Sequence, residues 1–418
     1  KKAFLVQAGL LALLSILFVA CKSDTDDETE DIGSSSAVSA TSVSYTYKKA
    51  SNVTNTYYAK YIADGTTLSL TGETITVTDS NVIPVLVLNG GSATLTNCTI
   101  VKSGDGSGQS NEDAYNFYGI NNAVVVLGSD SKATLSACTV TTSAKYANAV
   151  FASDGGTIEI TNGITITTTG DSSRGLFASY SGTVKASDGG VNITTSGSHC
   201  APLATDRGSG EIIVGSSTAS TESNVTSEKN DSPCVYSTGT ITAYKLTGKC
   251  TSGQAVVVEG LNNVKLSNCT FTGARSGQGC IMLYQSGSGD SSSGNSSLTI
   301  SDCTFNNTLA SSSEPMFYVT NTTAVVTISN CTFNSYASSV ASAYTASNAF
   351  ILCEENSDNS WGTSGSNGGV MQMTAEEETL TGTVCAAESD SKITVTCGTS
   401  NLSKKSGSGT ITVNSTTL

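Results

Sequence analysis

The chain has 418 residues, a formal net charge of −14, four prolines and only 13% charged residues. So little charge, combined with abundant β-branched Val, Ile and Thr, excludes a disordered chain and favours strands. The acidic balance also excludes nucleic acid as a partner, since phosphate binding needs a basic footprint and the 20 Lys and Arg are scattered.

Lys1-Lys2 precede an apolar run from Ala3 to Ala20. A basic start, a short apolar core and a small residue at the end predict a secretory signal over 1–20 rather than a membrane span. The end of this run, Leu17-Phe18-Val19-Ala20-Cys21, resembles the lipobox of bacterial lipoproteins, with Phe18 standing where that motif more often has Leu. The resemblance implies cleavage before Cys21 and a lipid on its sulfur, so that the lipid is the only membrane anchor. A plain secretory signal with an incidental cysteine is the alternative. Residues 21–44 read as a tether, because six of the eight residues from Asp24 to Asp31 are acidic and like charges extend a linker. The acidic run also resembles the export signal of some Gram-negative surface lipoproteins, which implies an outer-membrane protein displayed at the cell surface.

Residues 45–65 carry Tyr45, Tyr47, Tyr57, Tyr58 and Tyr61 and lack the repeating pattern of the later chain, suiting an N-terminal cap. From Thr66 to Cys397 one pattern recurs, seen most clearly in Ala255–Gly273, AVVVEGLNNVKLSNCTFTG: an apolar strand, a turn, an alternating strand, an Asn corner and another strand. Its first strand recurs with a base period of about 25 residues, broken by insertions at 103–116, 216–231, 286–297, 338–347 and 354–369, the mark of a solenoid. All four prolines (Pro84, Pro202, Pro233, Pro315) are expected at the opening of that strand, where no ladder hydrogen bond is needed. Asn97, Asn268 and Asn330 take the corner, with Asp302 and Ala137 standing in, because Asn tolerates left-handed backbone angles. The expected fold is all-β: a single-stranded right-handed parallel β-helix of about ten or more coils, closed by N- and C-terminal caps, the latter over 398–418.

Cys98, Cys138, Cys269, Cys303 and Cys331 share one inward position and read as small buried hydrophobes. No CxxC pair exists, so zinc is not expected, and no cofactor is expected. Cys385 with Cys397 is the first disulfide candidate. The rungs with their xLxNCTF motif and Gly-rich turns resemble right-handed parallel β-helix surface proteins of bacteria, which share a fold with pectate lyases, autotransporter passengers and polymorphic outer-membrane proteins. That resemblance spans Thr66–Cys397, is structural, and implies an adhesin-like role without assigning an activity.

Aligned on the first strand, the third position reads Leu86, Val125, Phe151, Phe177, Ala204, Val235, Val257, Met282, Phe317, Ile351. Its neighbours are apolar too, so both faces of the strand are expected to be buried, the outer one under insertion loops or a partner. Just past that strand runs a polar stripe: Asp206, Arg207, Ser237, Thr238, Glu259, Tyr284, Gln285, Thr320, Asn321, Glu354 and Glu355, with the loop of Trp361 leaving the same corner. Aromatic faces with amides and carboxylates suit a glycan, although turns are also polar simply because they face water. Asp206 and Glu259 are expected two coils apart, about 9–10 Å, which overlaps the spacing of an inverting glycosidase. The dense Asp cluster of lyases on this fold is missing, His199 reads as structural, and Asp105, Glu112 and Asp113 match no defined calcium loop. The expectation is a non-catalytic adhesin or glycan-binding lipoprotein meeting a glycan or a neighbouring cell surface. A carbohydrate-active enzyme and a structural envelope protein are the alternatives.

Overall fold

The computed structural model describes residues 40–286, 295–337, 340–356 and 368–418, and Val38–Leu418 clusters as one compact unit. Cys21 and Trp361 lie outside the described residues. Within them 35 strands join one sheet, almost all by parallel pairing, and the single α-helix is the short Asp113–Asn116.

The pairing resolves into three parallel ladders. The first runs from Thr54–Asp64 through Val82–Leu88, Val124–Leu127, Val150–Ser153 and Leu176–Ala178. It continues through Leu203–Thr205, Val235–Ser237, Val256–Glu259, Ile281–Tyr284 and Phe317–Thr320 to Ala349–Cys353. The second joins Thr67–Thr71 onward through Thr240–Tyr244, Asn263–Ser267 and Thr323–Ser329 to Lys392–Lys404 and Thr410–Val413. The third joins Thr74–Val77 onward through Leu246–Cys250 and Thr270–Thr272 to Thr332–Ala337. The chain visits the ladders in turn and pairs each strand with the one a repeat earlier, an arrangement compatible with a β-helix or similar solenoid. Parallel pairing starts at Tyr58, inside the stretch expected as a cap, and continues past Cys397. A strand already begins at Thr41, within the expected tether, and pairs antiparallel with Thr54–Ala59.

Register corrects two details of the sequence pattern. Pro202, Pro233 and Pro315 precede their strands, but Pro84 lies inside Val82–Leu88, skipped between the pairs Ala59↔Ile83 and Tyr61↔Val85. Pro84 and Pro202 stand directly before the paired Val85 and Leu203, whereas Pro233 and Pro315 stand one residue further out. The third position in three rungs therefore belongs to Tyr236, Tyr318 and Leu352, not to Val235, Phe317 and Ile351. A one-residue slip exchanges the faces of a strand. Val235, Phe317 and Ile351 accordingly join Val85, Val256 and Ile281 in the main core.

Both faces of the first ladder are buried. The outward column forms two separate apolar clusters: Leu86, Val125, Phe151, Phe177 and Ala204 in one, Val257, Met282, Tyr284 and Tyr318 in the other. Tyr45, Tyr47 and Tyr57 from the N-terminal hairpin and Tyr115 from the 103–116 insertion cover the first cluster. Asp154, buried with φ of 53°, fastens this cover. It accepts from the Tyr45 hydroxyl at 2.7 Å and from the amides of Lys48 and Lys49 at 2.9 and 2.7 Å. At the edge of the third ladder Lys102 is fully buried, its ammonium donating to the carbonyls of Asp79 and Gly104 at 2.6 and 2.7 Å.

The corners between the second and third ladders are left-handed as the sequence pattern requires: φ is 52° at Asn97, 51° at Ala137, 53° at Asn268, 54° at Asp302 and 52° at Asn330. Just past them Cys98, Cys138, Cys269 and Cys303 are buried and Cys331 is half-buried. An L-residue incurs about 1–2 kcal/mol in this backbone region, and Asn or Asp offsets part of it by local hydrogen bonding. Ala137 is the poorest occupant, and exposed. We predict that Ala137→Asn raises unfolding stability by about 1 kcal/mol and that Asn268→Ala lowers it by a similar amount, measured by urea denaturation.

Candidate ligand-binding site

A cavity of about 320 Å³ opens on the outer face of the first ladder. Its lining comes from three places along successive rungs. Tyr236 and Val257 form the floor, Asp206 and Tyr284 come from the end of the ladder, and Arg174, His199, Asp231 and Arg275 come from the turns that lead into it. Ala201 and Pro233 complete the wall.

The leading turns are built from a repeated corner. Ahead of the strands that begin at Val150, Leu176, Leu203 and Val235, the residues Tyr146, Ser172, His199 and Asp231 adopt left-handed φ of 60°, 54°, 57° and 57°. The residue after each corner is stitched to its counterpart on the next rung. The Ala147 amide donates to Ser173 Oγ at 2.9 Å, the Ser173 amide to Cys200 Sγ at 3.1 Å, and the Cys200 amide to Ser232 Oγ at 3.0 Å. This frame fixes His199 and Asp231 at equivalent places one rung apart on the cavity wall.

At the other edge, register places Asp206, Thr238, Glu259, Tyr284, Thr320 and Glu354 in one column: Thr205 pairs Ser237, Ser237 pairs Val258, and Glu259 pairs Tyr284, which pairs Thr320. Only part of this column reaches the cavity. Asp206 and Tyr284 line it, and Asp206 lies 4.0 Å from the Arg174 guanidinium across the ladder. Arg174 also stacks over Phe177 at 4.7 Å, and Arg275 forms an ion pair with Asp231. Glu259 is buried and accepts three hydroxyl hydrogen bonds, from Tyr236, from Ser286 and from Tyr284 at 2.6 Å. It therefore holds the tyrosines in position and does not line the cavity with Asp206, as the glycosidase reading required. Desolvation, reinforced by the charge of Glu259, pushes the Tyr284 phenol well above its ordinary range.

The remaining stripe residues lie elsewhere. Arg207 stacks on Phe117 at 4.6 Å, Asn321 donates to the Gln285 carbonyl at 2.6 Å, and Glu354 lies beside Tyr318 two rungs beyond Tyr284. Burial raises both the Glu354 carboxyl and the Tyr318 phenol. Arg174, Asp231, Tyr236 and Arg275 carry no motif, and their only sequence signal is their place before or within the first strand. His199, expected to be structural, stands on the cavity wall.

Asp105, Glu112 and Asp113 go to separate partners: the Lys145 amide, the Tyr146 hydroxyl and Asn111. Among the described residues no group of three or more His, Cys, Asp and Glu is placed to hold a metal ion. Cys385 and Cys397 sit in different ladders, Cys385 opposite Leu352 and Cys397 opposite Ala375, which removes them as a disulfide pair. No family model, no curated protein and no solved structure matches the chain.

Two outcomes are expected. Glu259→Gln replaces an acceptor-only carboxylate by an amide that sets a donor against hydroxyl donors, and should cost about 2–3 kcal/mol in urea denaturation. Raised phenols in the folded state (Tyr45, Tyr284, Tyr318) keep stability intact below their unfolded value near 10 and lose it as pH rises above that. Lys102 acts the other way, because burial lowers its ammonium from 10.5 to about 8, so the unfolded chain binds more protons between those values and stability rises with pH there. Buried thiols raised from 9.0, such as Cys200, Cys280 and Cys353, act like the phenols and outnumber Lys102, so the urea midpoint should fall above about pH 9, with Lys102→Met steepening the fall between about pH 8 and 10.

Proposed function

We propose that the chain winds as a right-handed parallel β-helix with capped ends and works as a non-catalytic glycan-binding adhesin. In this reading it is displayed at the surface of an outer membrane by a lipid on Cys21. The anchor rests on the N-terminal sequence alone: apolar run, small residues, cysteine and acidic tether. The winding is supported by three parallel ladders visited in rotation and by corners that repeat the same left-handed angle.

The observation that carries the binding role is the cavity itself. Two tyrosines and a valine supply apolar surface, and two arginines, two aspartates and a histidine supply donors and acceptors around them. Few convergent polar groups on an aromatic floor are the usual means of orienting a small ligand, and sugar hydroxyls both donate and accept. Each arginine has a carboxylate nearby, so the charges are largely balanced and an uncharged or weakly charged glycan fits better than a polyanion. Binding without cleavage is favoured because Glu259 is engaged by three hydroxyls and does not line the cavity.

The enzyme reading retains one supporting observation: Asp206 and Asp231 both line the cavity with His199. A glycan array with purified protein separates the two. The binding reading expects retention of a defined glycan subset, weakened at least about tenfold, or 1.4 kcal/mol, by Asp206→Asn and by Tyr236→Ala. Release of reducing or unsaturated sugars, lost in Asp206→Asn or Asp231→Asn, would establish the enzyme instead. A blank array together with unchanged cell adhesion on deletion would overturn the binding role.

A further inference from the structure

Cys234 and Cys250 bring their sulfurs to 2.9 Å inside the core, where both residues are buried. Cys234 directly precedes the first-ladder strand Val235–Ser237, and Cys250 ends the third-ladder strand Leu246–Cys250, so the two mark the start and finish of one complete turn of the chain. That separation is shorter than van der Waals contact between sulfurs, and the turn already closes at this point through Cys250 Sγ donating to the Ser232 carbonyl at 3.7 Å. Cys280 occupies the same entry position two rungs on, because Val235 pairs Val256 and Val256 pairs Ile281, yet the close sulfur contact is to Cys234.

We propose that Cys234 and Cys250 form a disulfide that covalently closes this turn. The bond would hold the corner carrying Asp231 and Pro233, both of which line the cavity, against the following rung. The chemistry is thiol–disulfide exchange with a low-molecular-weight disulfide. One cysteine thiolate attacks the donor and releases one thiol, and the second cysteine thiolate displaces the other. Two protons and two electrons leave the protein, and the donor is reduced to two thiols. Desolvation raises the Cys234 thiol well above its ordinary value in the folded chain, so the exchange belongs to the folding chain, before burial is complete.

The test refolds denatured, reduced full-length protein in a redox buffer of reduced and oxidised glutathione, then blocks free thiols and digests with trypsin. Cleavage after Lys229, Lys245, Lys249 and Lys265 places Cys234 alone in peptide 230–245 and Cys250 alone in peptide 250–265. These two peptides should appear as one linked species that is two hydrogens lighter than their sum and separates on reduction. The species should persist in Cys280→Ser and disappear in Cys250→Ser. Recovery of both peptides blocked as free thiols, or of Cys234 linked to another cysteine, would overturn the proposal.

Discussion

Two-sided burial of the first strand governs this molecule. A strand in a parallel ladder has its backbone satisfied by its neighbours above and below, and its two faces remain to be covered. The inner face meets the common core automatically, because the other two ladders close over it. The outer face receives no such partner from the repeat and has to borrow cover from whatever interrupts the repeat. Tyrosines of the N-terminal hairpin and the 103–116 insertion provide it from Leu86 to Ala204, and a second cluster forms around Val257, Met282 and Tyr318. The cavity lies at the seam between these clusters: Ala201 belongs to the first, Val257 and Tyr284 to the second, and Tyr236 packs against both.

Polar atoms enter this outer layer in part as acid–phenol pairs. Asp154 takes the hydroxyl of Tyr45, Glu259 those of Tyr236 and Tyr284, and Glu354 sits beside Tyr318. A carboxylate withdrawn from water is costly unless its lone pairs are filled, and a phenol is well suited to the task because its ring also supplies apolar surface. The arrangement explains two of the acids in the column, Glu259 and Glu354, while the third, Asp206, faces Arg174 instead. It also explains why acidity in this column is a poor guide to catalysis, since the carboxylate with the most hydrogen bonds is the least available to a substrate.

The repeat, the all-β class and the left-handed Asn corners were legible in the sequence because each rests on local chemistry: β-branched runs, alternation, and a side chain that tolerates positive φ. Ala137 shows the strength of that pattern, since a residue with no intrinsic reason to adopt φ of 51° does so where its rung demands it. Exact register was not legible. Around Val235, Phe317 and Ile351 the residues on either side are apolar or aromatic, so hydrophobicity could not separate inward from outward positions, and proline was a loose marker that sits at either of two adjacent places. Of the residues that line the site, the column supplied Asp206 and Tyr284, and those of the leading turns, Arg174, His199, Asp231 and Arg275, were missed. His199 and Asp231 differ in type, and only their shared backbone angle reveals that they are equivalent.

That equivalence bears on how such a scaffold acquires a site at all. A corner repeated at Tyr146, Ser172, His199 and Asp231 presents a side chain from the same backbone geometry on successive rungs, with the spacing set by strand pairing. The backbone is held by the amide-to-side-chain stitching through Ser173, Cys200 and Ser232, one residue further along and facing inward. Requirements of folding and of recognition thus fall on adjacent residues with opposite orientation. The inward members that receive an amide, Ser173, Cys200 and Ser232, are small groups able to accept its hydrogen, while the outward member is Tyr, Ser, His or Asp on the same turn. A change of ligand would then be expected to rewrite residues 199 and 231 while leaving 200 and 232 small and able to accept a hydrogen bond.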